Sequence, residues 1–220
     1  MRSGIEELYD YEVLRALSDA TMFVVHLQAP TLVLGGSQSS EVLDSSRTGT
    51  IPLRRRRGGG GLVLLQPDDL WIDWWIPASD PRWSPDIRVS SVQAGGWWRE
   101  ALGDDVPGVV SVHEGPLEGD PAYRVVCFAG RGPGEVFVDG RKAVGLTQWR
   151  VREGSFISTV VHANSSDGIV DLLSREPAGL RDALDHHVIA SLGIEDPEAT
   201  VDTLAEASGP WLVRQLFLSL

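Results

Sequence analysis

Three groups of residues in this chain have types and spacings that could do chemistry. Arg54-Arg55-Arg56-Arg57 runs directly into Gly58-Gly59-Gly60-Gly61, between Ile51-Pro52-Leu53 and Leu62-Val63-Leu64-Leu65. Consecutive glycines let backbone N–H groups approach a ligand closely, and such a nest favours anions. Flanking arginines add fixed bidentate donors for carboxylate or phosphate. No Gly-Lys-Ser/Thr follows, so the run is not a P-loop. The competing reading is a flexible surface loop with solvated charge. The second group is Asp139-Gly140-Arg141-Lys142 with Val144-Gly145. Asp-Gly between strands reads as a two-residue turn that needs positive φ. Its plain reading is a solvent-facing hairpin. Lys142, the only lysine in the chain, lies two residues past that turn. Its charge there could hold a carboxylate or phosphate, or steer an acyl carbonyl. The third is Cys127, the single cysteine. A cysteine flanked by apolar residues on a strand is ordinarily a small buried hydrophobe. As a nucleophile it needs a nearby cation, and Lys142 on an adjacent strand is a candidate.

Other chemistry is excluded. His186-His187 falls on an expected helix, where adjacent side chains point in different directions, so it is not a metal pair. There is no H-E-x-x-H and no cysteine cluster, and no metal site is expected. Net charge is −12, with 19 basic residues among 220. Phosphate neutralisation needs clustered Lys and Arg, so no nucleic-acid partner is expected. No apolar run approaches the ~20 residues of a membrane helix, and Met1 to Tyr11 lacks the apolar core of a signal peptide. One cysteine makes no internal disulfide. The expected compartment is the cytoplasm, with no membrane partner.

The elements that must position these residues follow from periodicity and turn chemistry. Residues 4–20 read as an amphipathic helix. MFVVHL and TLVLG read as strands, and residues 51–65 as strand, charged glycine turn and strand. LWIDWWIP (70–77) is a strand rich in tryptophan, which suits a half-buried sheet surface. Residues 86–102 read as a helix, weakened by Gly95-Gly96. VVSVH (109–113) and YRVVCF (123–128) read as strands, EVFVDGRKAVG (135–145) as a hairpin, and LTQWRVR and FISTVVHA as its continuation. From Asp167 onward the pattern is helical, through a last apolar turn, WLVRQLFLSL. Interleaved strands and helices followed by hairpins predict an α+β fold: one mixed, largely antiparallel sheet flanked by helices. No linker divides the chain, so residues 1–220 are expected to form one domain.

The glycine and lysine motifs, in this order, resemble those of the lipoate-protein ligase and octanoyltransferase family, the biotin/lipoate protein ligase catalytic fold. Thr31-Leu32-Val33-Leu34-Gly35 with Gln38 and Glu41 looks like that family's first strand and turn. Pro52-Leu53-Arg54-Arg55 before Gly58-Gly59-Gly60 is similar to its arginine pair and triple glycine. Gly140 to Gly145, then Gln148 and Arg150, is similar to its lysine motif. The resemblance covers roughly residues 5–192. It implies that Lys142 binds the acyl carbonyl and phosphate. It implies that Arg54, Arg55, Gly58, Gly59, Gly60 and Gly145 line the substrate site, with Arg55 and Gly60 against the activated acyl group. Cys127-Phe128, then Pro133, Glu135, Gly140, Lys142 and Gln148, resembles the cysteine-dependent members. That implies Cys127 as a nucleophile carrying an acyl thioester, with Lys142 as its cation.

The sequence also departs from the pattern. Arg57 stands where ligases carry Ser or Thr. Leu62 to Leu65 replaces a Tyr-His pair, and no His-Gly follows the lysine motif. The small accessory domain of many ligases is not expected after residue 220. The implied function is attachment of lipoyl or octanoyl groups to the lysine of a lipoyl carrier domain, of a 2-oxoacid dehydrogenase or a glycine cleavage protein. Two chemistries stay open: acyl transfer through Cys127 without cofactor, with acyl carrier protein a candidate donor, or lipoate ligation with ATP and Mg. A non-catalytic member that binds an acyl group or carrier domain is the alternative. Biotin transfer is disfavoured by the absence of G-R-G-R.

Overall fold

The structure, a computed structural model, describes residues 5–103, 106–165 and 167–218. The first residue of the expected N-terminal helix and the last two of the expected C-terminal turn lie outside the described residues. The described residues form ten strands and five α-helices. The strands are β1 (Thr21–Leu27), β2 (Thr31–Leu34), β3 (Leu53–Arg55), β4 (Val63–Leu65), β5 (Leu70–Pro77), β6 (Val110–Val112), β7 (Val136–Val138), β8 (Arg141–Val151), β9 (Gly154–Val161) and β10 (Leu212–Leu218). The helices are α1 (Tyr11–Arg15), α2 (Ser45–Thr48), α3 (Ile87–Leu102), α4 (Leu180–His187) and α5 (Pro197–Ala207). The expected α+β architecture is present.

A seven-stranded sheet runs β10-β1-β5-β9-β8-β7-β6, antiparallel except for the β1–β10 pair. Interior strand β5 explains the layering. Successive side chains of a strand point to opposite faces. Trp71 and Trp75 therefore join Phe23, Phe156 and Tyr9 on one face, and Ile72, Trp74 and Ile76 join Met22, Ile157 and Trp98 on the other. Each large side chain so buried stabilises by roughly 1.5–3 kcal/mol. Helices α3 and α5 cover the second face. Asp86 caps α3 by accepting from the amides of Arg88 (2.7 Å) and Val89 (3.2 Å), a contact worth about 1 kcal/mol.

The first face is covered by a second, three-stranded sheet, β3-β2-β4. One main sheet was the expectation; the structure has two. The two strands flanking the glycine run do not pair with each other. Instead β2 lies between them, parallel to β3 and antiparallel to β4. The long arginine–glycine segment thus crosses over a strand, which places it on top of the core.

Three local expectations are corrected. Helix formation near the N-terminus is confined to α1, because Glu7 bridges Arg55 and draws residues 6–8 into extended pairing. YRVVCF is not a strand. It forms two 3₁₀ turns, Pro121–Val125 and Cys127–Ala129, the first capped by Asp120 with Pro121 at its start. The C-terminal apolar turn is a strand: β10 adds in parallel to the edge of β1, tucking Leu216 and Leu218 against the core. Among the described residues no helix is long and apolar enough to cross a membrane.

Candidate active site

The hairpin forms as the Asp-Gly turn requires, with φ of 49° at Asp139 and 78° at Gly140. Beyond it β8 carries a bulge. Phe137 pairs with Lys142 while Val136 pairs with Val144, so Ala143 is an extra residue on β8. A bulge re-aims neighbouring side chains. Here Ala143 and Val144 both pack on the helix-covered face, and Lys142 turns to the side of the glycine loop.

Lys142 is only 1 % exposed. Its Nζ donates to the carbonyl oxygens of Cys127 (3.0 Å) and Gly130 (3.2 Å) and to Glu135 Oε1 (2.5 Å). All three ammonium protons are thus committed. Glu135 is equally buried, and its Oε2 accepts from the amide of Gly132 (2.6 Å). Burial raises the Glu135 carboxyl above its ordinary range, against the opposing pull of the Lys142 charge and its hydrogen bonds. The Phe128 ring lies 4.9 Å from Lys142 Nζ and 4.3 Å from the His162 ring, which is held by Asp69 (2.9 Å). A β-carbon on Gly145 would stand 2.7 Å from Phe128, so the glycine is required for that ring to lie flat on β8.

Cys127 follows a short parallel bridge between Val126 and Leu62; its amide donates to the Leu62 carbonyl (2.9 Å). The residue is half-buried. It lines two spaces at once. One is a small apolar cavity of about 40 Å³, walled by Leu8, Val33, Val63, Leu65, Trp71 and Val160. The other is an open groove of about 470 Å³ bordered by Gly59–Gly61, Leu117, Gly130, Pro133, Glu135 and Gln148.

The four arginines separate in function. Arg54 pairs with Glu6 (3.0 Å), and Arg57 with Glu7 (2.7 Å) and Glu12 (3.0 Å) while covering Tyr11 and Trp149. Arg55 donates to the carbonyls of Gly35 (2.9 Å) and Gln38 (2.7 Å), which ties the loop to the end of β2. Only Arg56 reaches the cavity wall, and it is 5 % exposed. Its donors meet neutral carbonyls: Val33 (3.2 Å), Gly59 (3.0 and 2.8 Å) and Gly61 (2.7 Å). Burial pulls its guanidinium below its usual range, opposed by Cys127 and Tyr11. The glycine loop therefore wraps its carbonyls around a cation. Gly58 passes so close to β8 that a β-carbon would stand 2.5 Å from Thr147 Oγ1, and Thr147 donates to Gly59 O (2.9 Å).

The structure thus brings together Cys127, Lys142, Gly58, Gly59, Gly60 and Gly145. It places the Arg54 and Arg55 guanidinium groups behind the loop, on acid and carbonyl partners. Sequence reasoning passed over Arg56, Glu135, Phe128 and Thr147 as site components. Arg56 sits inside a run of four identical side chains, and only their partners in the fold separate them. Asp73 was also missed. On the cavity side of β5 it accepts from Tyr9 Oη and from Trp71 Nε1 (2.7 Å), and burial pushes its carboxyl up to about 7 despite bonds from Ser158, Tyr9 and Trp71. Among the described residues no three His, Cys, Asp or Glu side chains group as metal ligands.

No protein-family model matches the chain, and no curated protein sequence matches it. Solved structures do. One is the bipartite lipoate protein ligase of Thermoplasma acidophilum studied with its E2 lipoyl domain: TM-score 0.69, 15% identity, covering 96% of this chain and 80% of that one. Another, lipoate-protein ligase A bound with ATP, gives a TM-score of 0.65 and 16% identity over 100% of this chain and 90% of that one. The fold is that of the lipoate-protein ligases. A T. acidophilum protein solved with bound lipoic acid shares the same lipoate-ligase fold, with TM-score 0.67, 14% identity, and coverage of 98% and 89%.

Proposed function

We propose that this chain acts as one catalytic domain that attaches a lipoyl or octanoyl group to the lysine of a lipoyl carrier domain, with Cys127 carrying the acyl group between donor and acceptor. One observation carries the reading: Cys127 lines both a small apolar cavity and a larger groove beside it. An acyl tail in the cavity places its carbonyl carbon at the sulfur. The groove gives the donor, and then the acceptor lysine, access to that carbon. The likeness to a ligase solved with its E2 lipoyl domain supports a lipoyl domain as the acceptor.

The chemistry divides one transfer into two thioester-level steps. Cys127 Sγ bonds to the carbonyl carbon of the donor thioester. The donor C–S bond breaks, and the departing thiolate takes up the proton lost by Cys127. The neutral amine of the acceptor lysine then bonds to the same carbon. The Cys127 C–S bond breaks, and a proton from the amine returns to the sulfur. No oxidant or nucleotide is consumed. Gly60 and Gly145 keep the path clear, Gly58 and Gly59 fix the loop to β8, and Arg54 and Arg55 hold the loop from behind.

The likeness to an ATP-bound ligase supports a second reading, in which the open groove holds an acyl-adenylate formed from lipoate, ATP and Mg. The test is modification of an isolated lipoyl domain, read by the mass of its lysine-bearing peptide. Octanoyl-loaded acyl carrier without ATP should modify it, and Cys127→Ala should abolish that. Modification only with lipoate, ATP and Mg, undiminished in Cys127→Ala, would favour the ligase. Modification under neither condition would sink both.

A further inference from the structure

We infer that Arg56, not Lys142, is the cation that acts on the Cys127 sulfur, and that Lys142 is a positioning residue for the turn that carries it. The inference rests on the reading of Cys127 as the acyl-bearing residue. Lys142 is the obvious partner by residue type and by proximity, yet its charge is already opposed by Glu135 at 2.5 Å. Its bond to Cys127 goes to the backbone carbonyl and not to the sulfur, and its remaining proton goes to Gly130. A neutralised pair with no free donor exerts little net field on a neighbouring atom. What it does is hold the two ends of the Cys127–Gly130 segment together.

Arg56 is the opposite case. It is buried, its side-chain donors all go to backbone carbonyls, and no carboxylate pairs with it. Burying a cation without a counter-ion costs several kcal/mol unless neighbouring dipoles offset it. The carbonyls of Val33, Gly59 and Gly61 supply those dipoles but leave the net charge in place. Gly60 defines its distance from the thiol. The point a β-carbon would occupy on Gly60 lies 2.9 Å from Arg56 Nη2 and 3.5 Å from Cys127 Sγ. Gly60 has φ of 92°, a conformation that glycine adopts without penalty. The space between cation and sulfur therefore stays free of side chain. Negative charge on the sulfur, or on the oxygen of a tetrahedral adduct formed there, faces an unneutralised guanidinium in a low-dielectric wall. Four N–H···O bonds from Arg56 go to backbone carbonyls, so it acts on the sulfur through charge.

The experiment uses the intact chain, whose single cysteine makes alkylation unambiguous. Equimolar iodoacetate, an anion, and iodoacetamide, its neutral counterpart, compete for Cys127, and the two products are weighed by mass. The carboxymethyl fraction should exceed that of N-acetylcysteine under the same conditions by about tenfold, the scale of one close charge in a partly buried site. Arg56→Met should bring the ratio down to that of the free thiol, and Arg56→Lys should retain part of it. Glu135→Gln combined with Lys142→Gln, which removes both charges of the pair at once, should leave it unchanged. If Arg56→Met fails to fold, the wild-type ratio and the double variant still decide. A wild-type ratio equal to that of N-acetylcysteine overturns the inference. So does a ratio lost in the double variant. Because the reagents are not acyl donors, absence of acyl transfer would refute the proposed function without touching this result.

Discussion

Lys142 Nζ donates to the carbonyl oxygen of Cys127 at 3.0 Å. The lysine of the hairpin and the cysteine of the preceding turn are joined through the backbone, with the sulfur left to face the cavity. Glu135 completes the arrangement by neutralising the ammonium, and Phe128 fills the space between Lys142 and His162. The turn carrying the thiol is fixed from below by one buried ion pair.

Removing half of that pair should be far worse than removing both halves. Glu135→Gln leaves a buried ammonium without its counter-charge, an error on the order of 3–5 kcal/mol. Pairing it with Lys142→Gln should recover more than half of the loss. Urea unfolding midpoints of the two singles and the double form the cycle; additive losses would contradict a coupled pair.

Gly145→Ala should disturb the site more than the fold. The new methyl meets Phe128 at 2.7 Å, and the ring must shift, carrying the Cys127 turn with it. Overpacking of this kind costs roughly 1–3 kcal/mol. Octanoyl transfer should drop about tenfold or more, as a misplacement near 1 Å permits. Unaltered transfer rates in a folded variant would show that Phe128 does not set the position of Cys127.

Asp73 should make stability fall as the solution becomes more alkaline. Its folded carboxyl keeps a proton up to about pH 7, whereas its ordinary value is 3.8. Between those values the folded state binds more protons than the unfolded chain, so stability declines as pH rises through that window and levels off above it. The full effect of one such group is about 4 kcal/mol at most. Asp73→Asn should flatten this part of the curve. Chemical denaturation at pH 4.5 and pH 8 measures it, and parallel profiles for the two proteins would refute the assignment.

Much of the frame could be read in the sequence because it depends on local rules. The apolar run LWIDWWIP forms a strand as expected, though it is buried on both faces and not half-buried, and Asp139-Gly140 takes the positive φ its chemistry announces. The glycine run borders the groove beside Cys127, and Gly145 of the lysine motif lines the cavity. What stayed illegible depends on pairing across the chain. The crossing of β2 between β3 and β4 separates strands that are neighbours in sequence. The extra residue Ala143 turns Lys142 to the loop side. The apolar C-terminus lacks strict alternation and becomes a strand only because the edge of β1 is open to it. Within the site, the arginine run gave no means of telling Arg56 from Arg54 and Arg55. That distinction comes from Glu6 holding Arg54, Glu7 and Glu12 holding Arg57, and the Gly35 and Gln38 carbonyls holding Arg55, while Arg56 turns inward. Glu135 was visible in the motif, but its partnership with Lys142 depends on the bulge.

The central claim is that Cys127 carries the acyl group. Its most direct test is the intact mass of the chain after mixing with octanoyl-loaded acyl carrier in the absence of ATP. The account predicts one octanoyl adduct that hydroxylamine removes and that Cys127→Ala does not form. A wild-type chain that stays unmodified while the lipoyl domain is still octanoylated, or an adduct that persists in Cys127→Ala, would contradict it.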